Sequence, residues 1–524
     1  MINRVHPSIG RFLLTATIFV LMGASVSADS RPNILWITIE DWGPDLSCYG
    51  TKGIQTPHID KLASQGIRYQ WAFTTSPVCS TSRSAMMTGF HQNFIGANQH
   101  REENKKPLPH GIKPIPHLLA EAGYFTALMS RKIDVNFLPD TRAELFQGTD
   151  WNQRKPGQPF FARITFGETH RPWHRDPQRP IDIEDVEVPP QYPDTPFVRR
   201  DIANGYEAMQ IVDRKVGELL KRLEDEGLAE DTLVFFIGDH GICQIRGKQF
   251  LYDEGIRIPM IMRWPGRVAA GQVNTDLVSS LDICATVLEV AQAKSPVPLQ
   301  GISLLSPQLE KRKYVFSARD KMGKTHDSMR AIRSKNYKLI LNLMPERAWC
   351  QFSSYKEGAY PLMAELNVLN LQGELTPEQA AFLAPKKPKV ELFDLKTDPH
   401  EVHNVADDPA YAEVKDELLK ELENWRKNVI KDDGVSDDFR AVRVFPDPPP
   451  GINVNVDVWV GENEDQYDFE KSGYPGWFPT RTLAAWKKAR AAWEPYVFRK
   501  PNENIPRPRI VHSTKKQLKS SRKK

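Results

Sequence analysis

Four short apolar runs in this chain each end on charged or imidazole side chains, and that repetition limits the possible folds more than any other feature. Residues 34–39, ILWITI, run into Glu40 and Asp41. YFTALMS, residues 124–130, runs into Arg131 and Lys132. PFFARITF, residues 159–166, stops just before Glu168 and His170, and TLVFFIG, residues 232–238, stops at Asp239 and His240. Near-continuous apolar runs read as strands covered on both faces. Helical patterns lie between them. One covers residues 116–122, and a long amphipathic one covers 198–226 with apolar Ile202, Tyr206, Met209, Val212, Val216, Leu219 and Leu223. Strands alternating with helices predict an α/β fold with a mostly parallel sheet sandwiched by helices. Ligands bind outside the carboxyl ends of such strands. Charge at one strand end is ordinary termination. Four ends carrying Glu-Asp, Arg-Lys, His and Asp-His predict a site.

The flanking segments divide the rest. Arg4 and Arg11, an apolar run at 12–22 and small residues Val26-Ser27-Ala28 read as a signal peptide over residues 1–28. The apolar run is short for a membrane span, so export without stable membrane insertion is expected, to the periplasm or outside. The catalytic domain is placed at 29–316. A smaller subdomain is placed at 317–431, from MRAIRSKNYKLILNL (329–343) and VELFDLKTDPHEVHNVA (390–406), read as antiparallel strands, and an amphipathic helix at 412–430. Residues 432–524 read as an irregular Pro-rich extension with Trp459, Trp477, Trp486 and Trp493. It ends in a basic tail in which six of the last ten residues are Lys or Arg. Cys48, Cys79, Cys243, Cys284 and Cys350 are too few and scattered for a disulfide scaffold. A net charge of +4 permits anionic substrates and gives no ground for a nucleic-acid partner.

SPVCSTSRSAMMTG, residues 76–89, places Cys79 at the mouth of a helical pattern with Arg83 one turn in. The thiol has three readings: an inert core cysteine, a thiolate nucleophile favoured by the helix N-terminus, or a precursor that is chemically modified. The ligands offered nearby are hard. Glu40, Asp41 and Asp239 supply carboxylate oxygens suited to Ca²⁺ or Mg²⁺, for which an oxygen nucleophile is a better partner than a thiolate.

C-S-T-S-R at 79–83 resembles the sulfatase signature Cys-x-Pro/Ala-Ser-Arg, whose cysteine is oxidised to formylglycine. PNILWITIEDWGPDLSCYG resembles the first metal motif of that family, GDHG (238–241) the second, and RGKQFLYDEGIRIPMIMRWPG the stretch that follows. TPHIDKLASQGIRYQWAF and LFDLKTDPHEVHNVA match further segments, so the resemblance extends to about residue 430. Three positions depart from the pattern. Thr81 stands where Pro or Ala is usual, Asp134 stands where Gly-Lys-x-His has its histidine, and His240 stands where many members have Asn.

The resemblance implies an alkaline-phosphatase-like fold with a smaller C-terminal antiparallel sheet. It implies one Ca²⁺, or Mg²⁺ as the alternative, held by Glu40, Asp41, residue 79, Asp239 and His240. Formylglycine made from Cys79 by a maturation enzyme hydrates, attacks sulfur, and expels sulfate as the aldehyde reforms. Arg83 and Lys132 stabilise the hydrate. His170 and Lys248 hold sulfate and protonate the leaving group, and Asp134 takes the place of the usual histidine. TGFHQNFIGANQHR, with AIRSKNYKLILNL and LFDLKTDPHEVHNVA, looks most like heparan N-sulfatase and its bacterial relatives. It offers His91, His100 and Arg101 as substrate-binding groups or as plain loop residues. The expected substrate is a sulfated oligo- or polysaccharide, with O- or N-linked sulfate left open. Two alternatives stand beside it: a phosphonate monoester hydrolase or phosphodiesterase of the same superfamily, and a non-catalytic glycan-binding protein if Cys79 is not matured.

Overall fold

The computed structural model describes Met1 and residues 31–322, 325–351, 353–436 and 483–508. The rest of the expected leader, the basic tail, Trp459 and Trp477 lie outside the described residues.

The larger sheet comprises β1 (Asn33–Ile39), β2 (Ile67–Phe73), β3 (Phe125–Leu128), β4 (Phe160–Phe166), β5 (Thr232–Gly238), β6 (Arg257–Ile258), β7 (Met260–Arg263) and β8 (Gln272–Ser279). Its order is β3-β4-β1-β5-β7-β2-β6, with β8 paired to β2. The four apolar runs of the sequence are β3, β4, β1 and β5, and these are parallel neighbours. Their carboxyl ends therefore share one edge. Beyond β5 the sheet becomes mixed, because β7 pairs antiparallel to both β5 and β2.

Both faces of the sheet are covered. In β1, Leu35, Ile37 and Ile39 enter one core with the Pro196–Asp225 helix, while Ile34 and Trp36 enter another with Met86, Leu118 and Val287. All seven apolar positions expected on the long helix are buried. That helix starts on Thr195, whose hydroxyl accepts the amide of Val198, with Pro196 in its first turn.

A second, antiparallel sheet has the order β12-β11-β10-β9, with β9 Val315–Arg319, β10 Met329–Arg333, β11 Tyr337–Asn342 and β12 Val390–Asp394. Leu418, Leu422 and Trp425 of the Ala412–Asn428 helix pack on it. The expected strand over 390–406 ends at Asp394, and the chain then turns, with Glu401 at φ +57°. The second sheet grips the turn that precedes Cys79. Ala318 N donates to Thr75 O (2.9 Å) and Ser317 Oγ to Thr74 O (2.6 Å).

The extension read as irregular contains a helix, Leu483–Val497. Trp486 and Trp493, two turns apart, are 2% and 1% exposed. Arg490 pairs with Glu365 at 2.9 Å, and Asn204 Nδ2 donates to Val497 O at 3.0 Å, so this helix is sewn to the main body. Cys48, Cys79, Cys243 and Cys284 are free thiols. Among the described residues no helix is long and apolar enough to cross a membrane.

Candidate active site

Cys79 is the first residue of the Cys79–Thr88 helix, after extended Val78, and every residue of that helix is buried. The first-turn amides face the carboxyl edge of the sheet, which favours negative charge there. Small residues let the helix sit this deep, and their hydroxyls satisfy each other. Ser76 Oγ lies 2.6 Å from Thr81 Oγ1, and Thr81 Oγ1 donates to Val78 O at 3.1 Å. Ser82 Oγ bonds Asp239 O, fixing the helix to the end of β5.

The strand ends meet around Cys79. Its Sγ is 3.3 Å from His240 Nε2 and 3.5 Å from both Asp41 Oδ1 and Lys248 Nζ. Asp41 follows β1 with φ +54°, a left-handed conformation that Asp tolerates. Its amide donates to Asp239 Oδ1 at 2.9 Å, and its Oδ2 accepts from Lys248 at 2.7 Å. Lys248 hangs from a loop over 239–252 that is buried throughout. Gly241 in that loop is required, since a Cβ there would lie 2.1 Å from Glu254 O.

Charge is balanced within this floor. Burial pushes the Asp41 carboxyl up, but Lys248, His170 and His240 outweigh it and hold it well below its ordinary range. Burial pulls His240 down, but Asp239, Cys79 and Asp41 raise it to about 10. Arg83, fully buried, reaches Asp239 Oδ2 (2.9 Å), Glu40 Oε1 (3.0 Å) and Thr165 Oγ1 (3.2 Å).

Asp41, Cys79, Asp239 and His240 each offer a ligand atom, and these atoms lie within 4.8 Å of one another. The cluster can hold a metal ion. His240 Nδ1 donates to Gly241 O at 2.9 Å, so its Nε2 lone pair points into the cluster once the imidazole is neutral. His240 Nε2 would have to give up its proton to ligate a cation there. Glu40, also expected in this set, faces two cations. Its Oε1 accepts from Arg83 and from Lys132 at 2.5 Å.

The remaining expected residues separate into rim and scaffold. His170 stands with Nε2 3.7 Å from Asp41 Oδ2, its Nδ1 donating to Arg171 O. Asp134 lies at φ +52° between Lys132 (3.5 Å) and Arg101 (3.2 Å). Burial raises its pKa, but Arg101, Lys132 and Arg83 overcome this and hold it well below the ordinary range. His100 Nδ1 is 2.8 Å from Ser80 Oγ, beside Cys79, and burial with Arg101 lowers its pKa to about 3. His91 is not brought to the site. It is buried against Trp425, 5.1 Å between ring centroids, where the first domain meets the Ala412–Asn428 helix.

Sequence reasoning missed Tyr355, in the short Ser354–Ala359 helix. Its hydroxyl faces His170 Nε2 at 3.4 Å, and its ring lies 5.0 Å from Lys248 Nζ. No motif marks it, because the fold alone carries that segment over the strand ends. Thr165 was passed over as a strand residue, although it faces Arg83.

Residues 32–134 and 130–293 match the Sulfatase family, and residues 238–358 match the family described as N-sulphoglucosamine sulphohydrolase, C-terminal. A relative from Formosa agariphila named ulvan-active sulfatase is 33% identical over 446 residues, covering 75% of this chain and 74% of the relative. The chain belongs to the formylglycine-dependent sulfatase family. The N-sulphoglucosamine sulphohydrolase of Homo sapiens is 27% identical to this sulfatase over 456 residues, covering 76% of this chain and 90% of that protein. A solved structure in complex with its substrate D-glucosamine-2-N,6-O-disulfate superposes on the sulfatase with TM-score 0.58 and 18% identity, covering 77% of this chain and 99% of the other. The phosphonate monoester hydrolase of Agrobacterium radiobacter gives TM-score 0.57 and 17% identity, covering 78% of this chain and 99% of the other. At such identities the structures speak for the fold alone. They agree with the alkaline-phosphatase-like architecture.

Proposed function

We propose that this sulfatase removes sulfate from a sulfated carbohydrate, with residue 79 acting as formylglycine and one divalent cation, Ca²⁺ ahead of Mg²⁺, bound beside it. The observation that supports this most is the setting of Cys79, on the first turn of a buried helix within 3.5 Å of Asp41, His240 and Lys248. Oxidised to the aldehyde, residue 79 supplies a hydrate whose one hydroxyl attacks sulfur and whose other restores the aldehyde as sulfate leaves. The cation supplies positive charge that favours ionisation of that hydroxyl. Asp41, Asp239, His240 and residue 79 would hold it, and replacing sulfur by oxygen makes the set a hard one.

The other side chains have geometric roles. Arg83 is tied to Glu40 and Asp239 and so positions the strand ends. Lys248 holds Asp41 and extends its ammonium to the reacting residue. His170, with Nδ1 committed to Arg171 O, delivers a proton from Nε2 to the leaving oxygen or nitrogen when protonated. Asp134 stays ionised beside Lys132 and Arg101, and its negative charge assists loss of the proton from the second hydroxyl as the aldehyde reforms. Cys79 and Thr81 are wholly buried, so maturation must reach the segment before the chain closes over it. Export by residues 1–28 fits a polymeric substrate outside the cytoplasm.

The test is release of sulfate against release of phosphate from matched aryl esters, before and after exhaustive chelation. The account expects sulfate release dominant, lost on chelation and restored by Ca²⁺. The Asp239→Asn variant should lose bound metal and turnover together, by a factor of about a thousand or more. Dominant phosphate or phosphonate release would favour the sister activity. Full turnover in chelated, metal-free protein would remove the cation from the account.

A further inference from the structure

An open cleft of about 780 Å³ leads away from the catalytic residues, and its charges are not balanced as the floor is. Lys132, Asp134 and Arg101 line it together with Arg131, Asp140 and Arg142. Four cations therefore face two carboxylates, and both carboxylates are already taken. Asp134 pairs with Arg101 and Lys132, and Asp140 pairs with Lys105 at 2.6 Å. Arg131 and Arg142 have no ion-pair or hydrogen-bond partner for their guanidinium groups among the described residues, and both are exposed. Lys132 makes the cleft continuous with the catalytic site, since its Nζ reaches Glu40 Oε1 and Glu40 in turn binds Arg83.

We infer that Arg131 and Arg142 form a subsite for a second oxyanion on the substrate, a sulfate or a carboxylate carried by the sugar next to the one that is desulfated. This rests on the carbohydrate sulfatase reading and narrows it to polyanionic chains. An arginine presents a planar fork of N–H donors that matches a sulfate or carboxylate edge, and such bonds are stronger than neutral ones. Two unpaired forks cost nothing in the free enzyme because water solvates them. They gain a partner only when an anion enters. Lys132 and Arg101 cannot supply this function without giving up Asp134 and Glu40, which leaves Arg131 and Arg142 to recognise the added charge. Because the cleft is open, the attraction is screened over roughly 8 Å at physiological salt, and binding through it must weaken as salt rises.

The experiment uses full-length enzyme and three substrates: an aryl sulfate with no second anion, a disaccharide whose neighbouring sugar carries a second sulfate, and one whose neighbouring sugar carries a uronate. The Arg131→Ala/Arg142→Ala double variant is compared with wild type. Its KM for one or both disaccharides should rise about tenfold with kcat within twofold, while aryl sulfate kinetics stay unchanged. The disaccharide that responds identifies the anion. The Arg131→Lys/Arg142→Lys variant should recover part of the affinity, and the salt dependence of KM should flatten in the alanine variant. Unchanged KM for both disaccharides, or an equal loss on the aryl ester, overturns the inference. Sulfate release from the aryl ester by wild type tests the sulfatase reading separately. Calorimetric affinity of the disulfated disaccharide for Cys79→Ser enzyme, with and without the arginines, decides the subsite whatever the turnover.

Discussion

On the floor of the site Arg83 is fully buried between Glu40 and Asp239, whereas on the rim Arg131 and Arg142 stand in water with no ion pair among the described residues. The same side chain thus does two jobs. A buried guanidinium must be fully paired, and its pairing fixes the ends of β1 and β5 around residue 79. An exposed one is cheap to leave unpaired and remains available to a ligand. The difference predicts that floor substitutions damage fold and chemistry together, while rim substitutions alter selection of substrate and little else.

The largest expected effect is on the floor. Arg83→Met leaves Glu40 and Asp239 buried with one cation fewer, and should cost about 3–5 kcal/mol in denaturant unfolding as well as abolishing turnover. Arg131→Ala should move the same unfolding midpoint by less than about 0.5 kcal/mol. Equal losses at the two positions would erase the distinction between floor and rim.

Asp134 stands on the boundary, and its variant sharpens the comparison. Asn tolerates the left-handed φ of +52°, so Asp134→Asn changes charge without straining the backbone. Turnover should slow roughly tenfold to hundredfold, with a sulfated form of the enzyme accumulating in intact-mass spectra. An unchanged rate with no adduct would make Asp134 a holder of Arg101 and Lys132 and nothing more.

A smaller effect is expected at His91, away from the site. Burial lowers its pKa to about 3, with Arg312 adding to the shift, so the folded protein keeps it neutral. The unfolded chain binds a proton there below its ordinary value of 6.5. The stability it contributes is complete above pH 6.5 and declines as pH falls towards 3. His91→Gln should lessen the acid-induced fall in melting temperature and leave kcat and KM as they were. A large change in KM would return His91 to the substrate.

What the sequence made legible was what is local. An apolar run followed by charge is visible within ten residues, and it located β1, β3, β4 and β5 and the side chains at their ends. Cys79, Arg83 and Lys248 were legible for a different reason, since each sits in a short motif. Glu40 was read as a metal ligand with the other strand-end carboxylates, but its two ion-pair partners were not legible, because Arg83 and Lys132 come from a helix and a strand end distant in the chain. His91 and Trp425 are separated by 334 positions, and nothing in the loop around His91 signals that partner. β6 and β7, two and four residues long, are too short for any period to show. The Leu483–Val497 helix has its tryptophans on one face, but the proline-rich run of chain beyond about residue 432 made the whole segment read as irregular.

The central claim is that Cys79 works as an aldehyde. Its most direct test is the mass of the peptide spanning Cys79, taken from several enzyme preparations whose sulfate-release activity is known. The account predicts a form lighter than the unmodified peptide by about 18 Da, trapped by hydrazide reagents, whose fraction rises in proportion to specific activity. Preparations with full sulfatase turnover in which Cys79 is entirely thiol would contradict it.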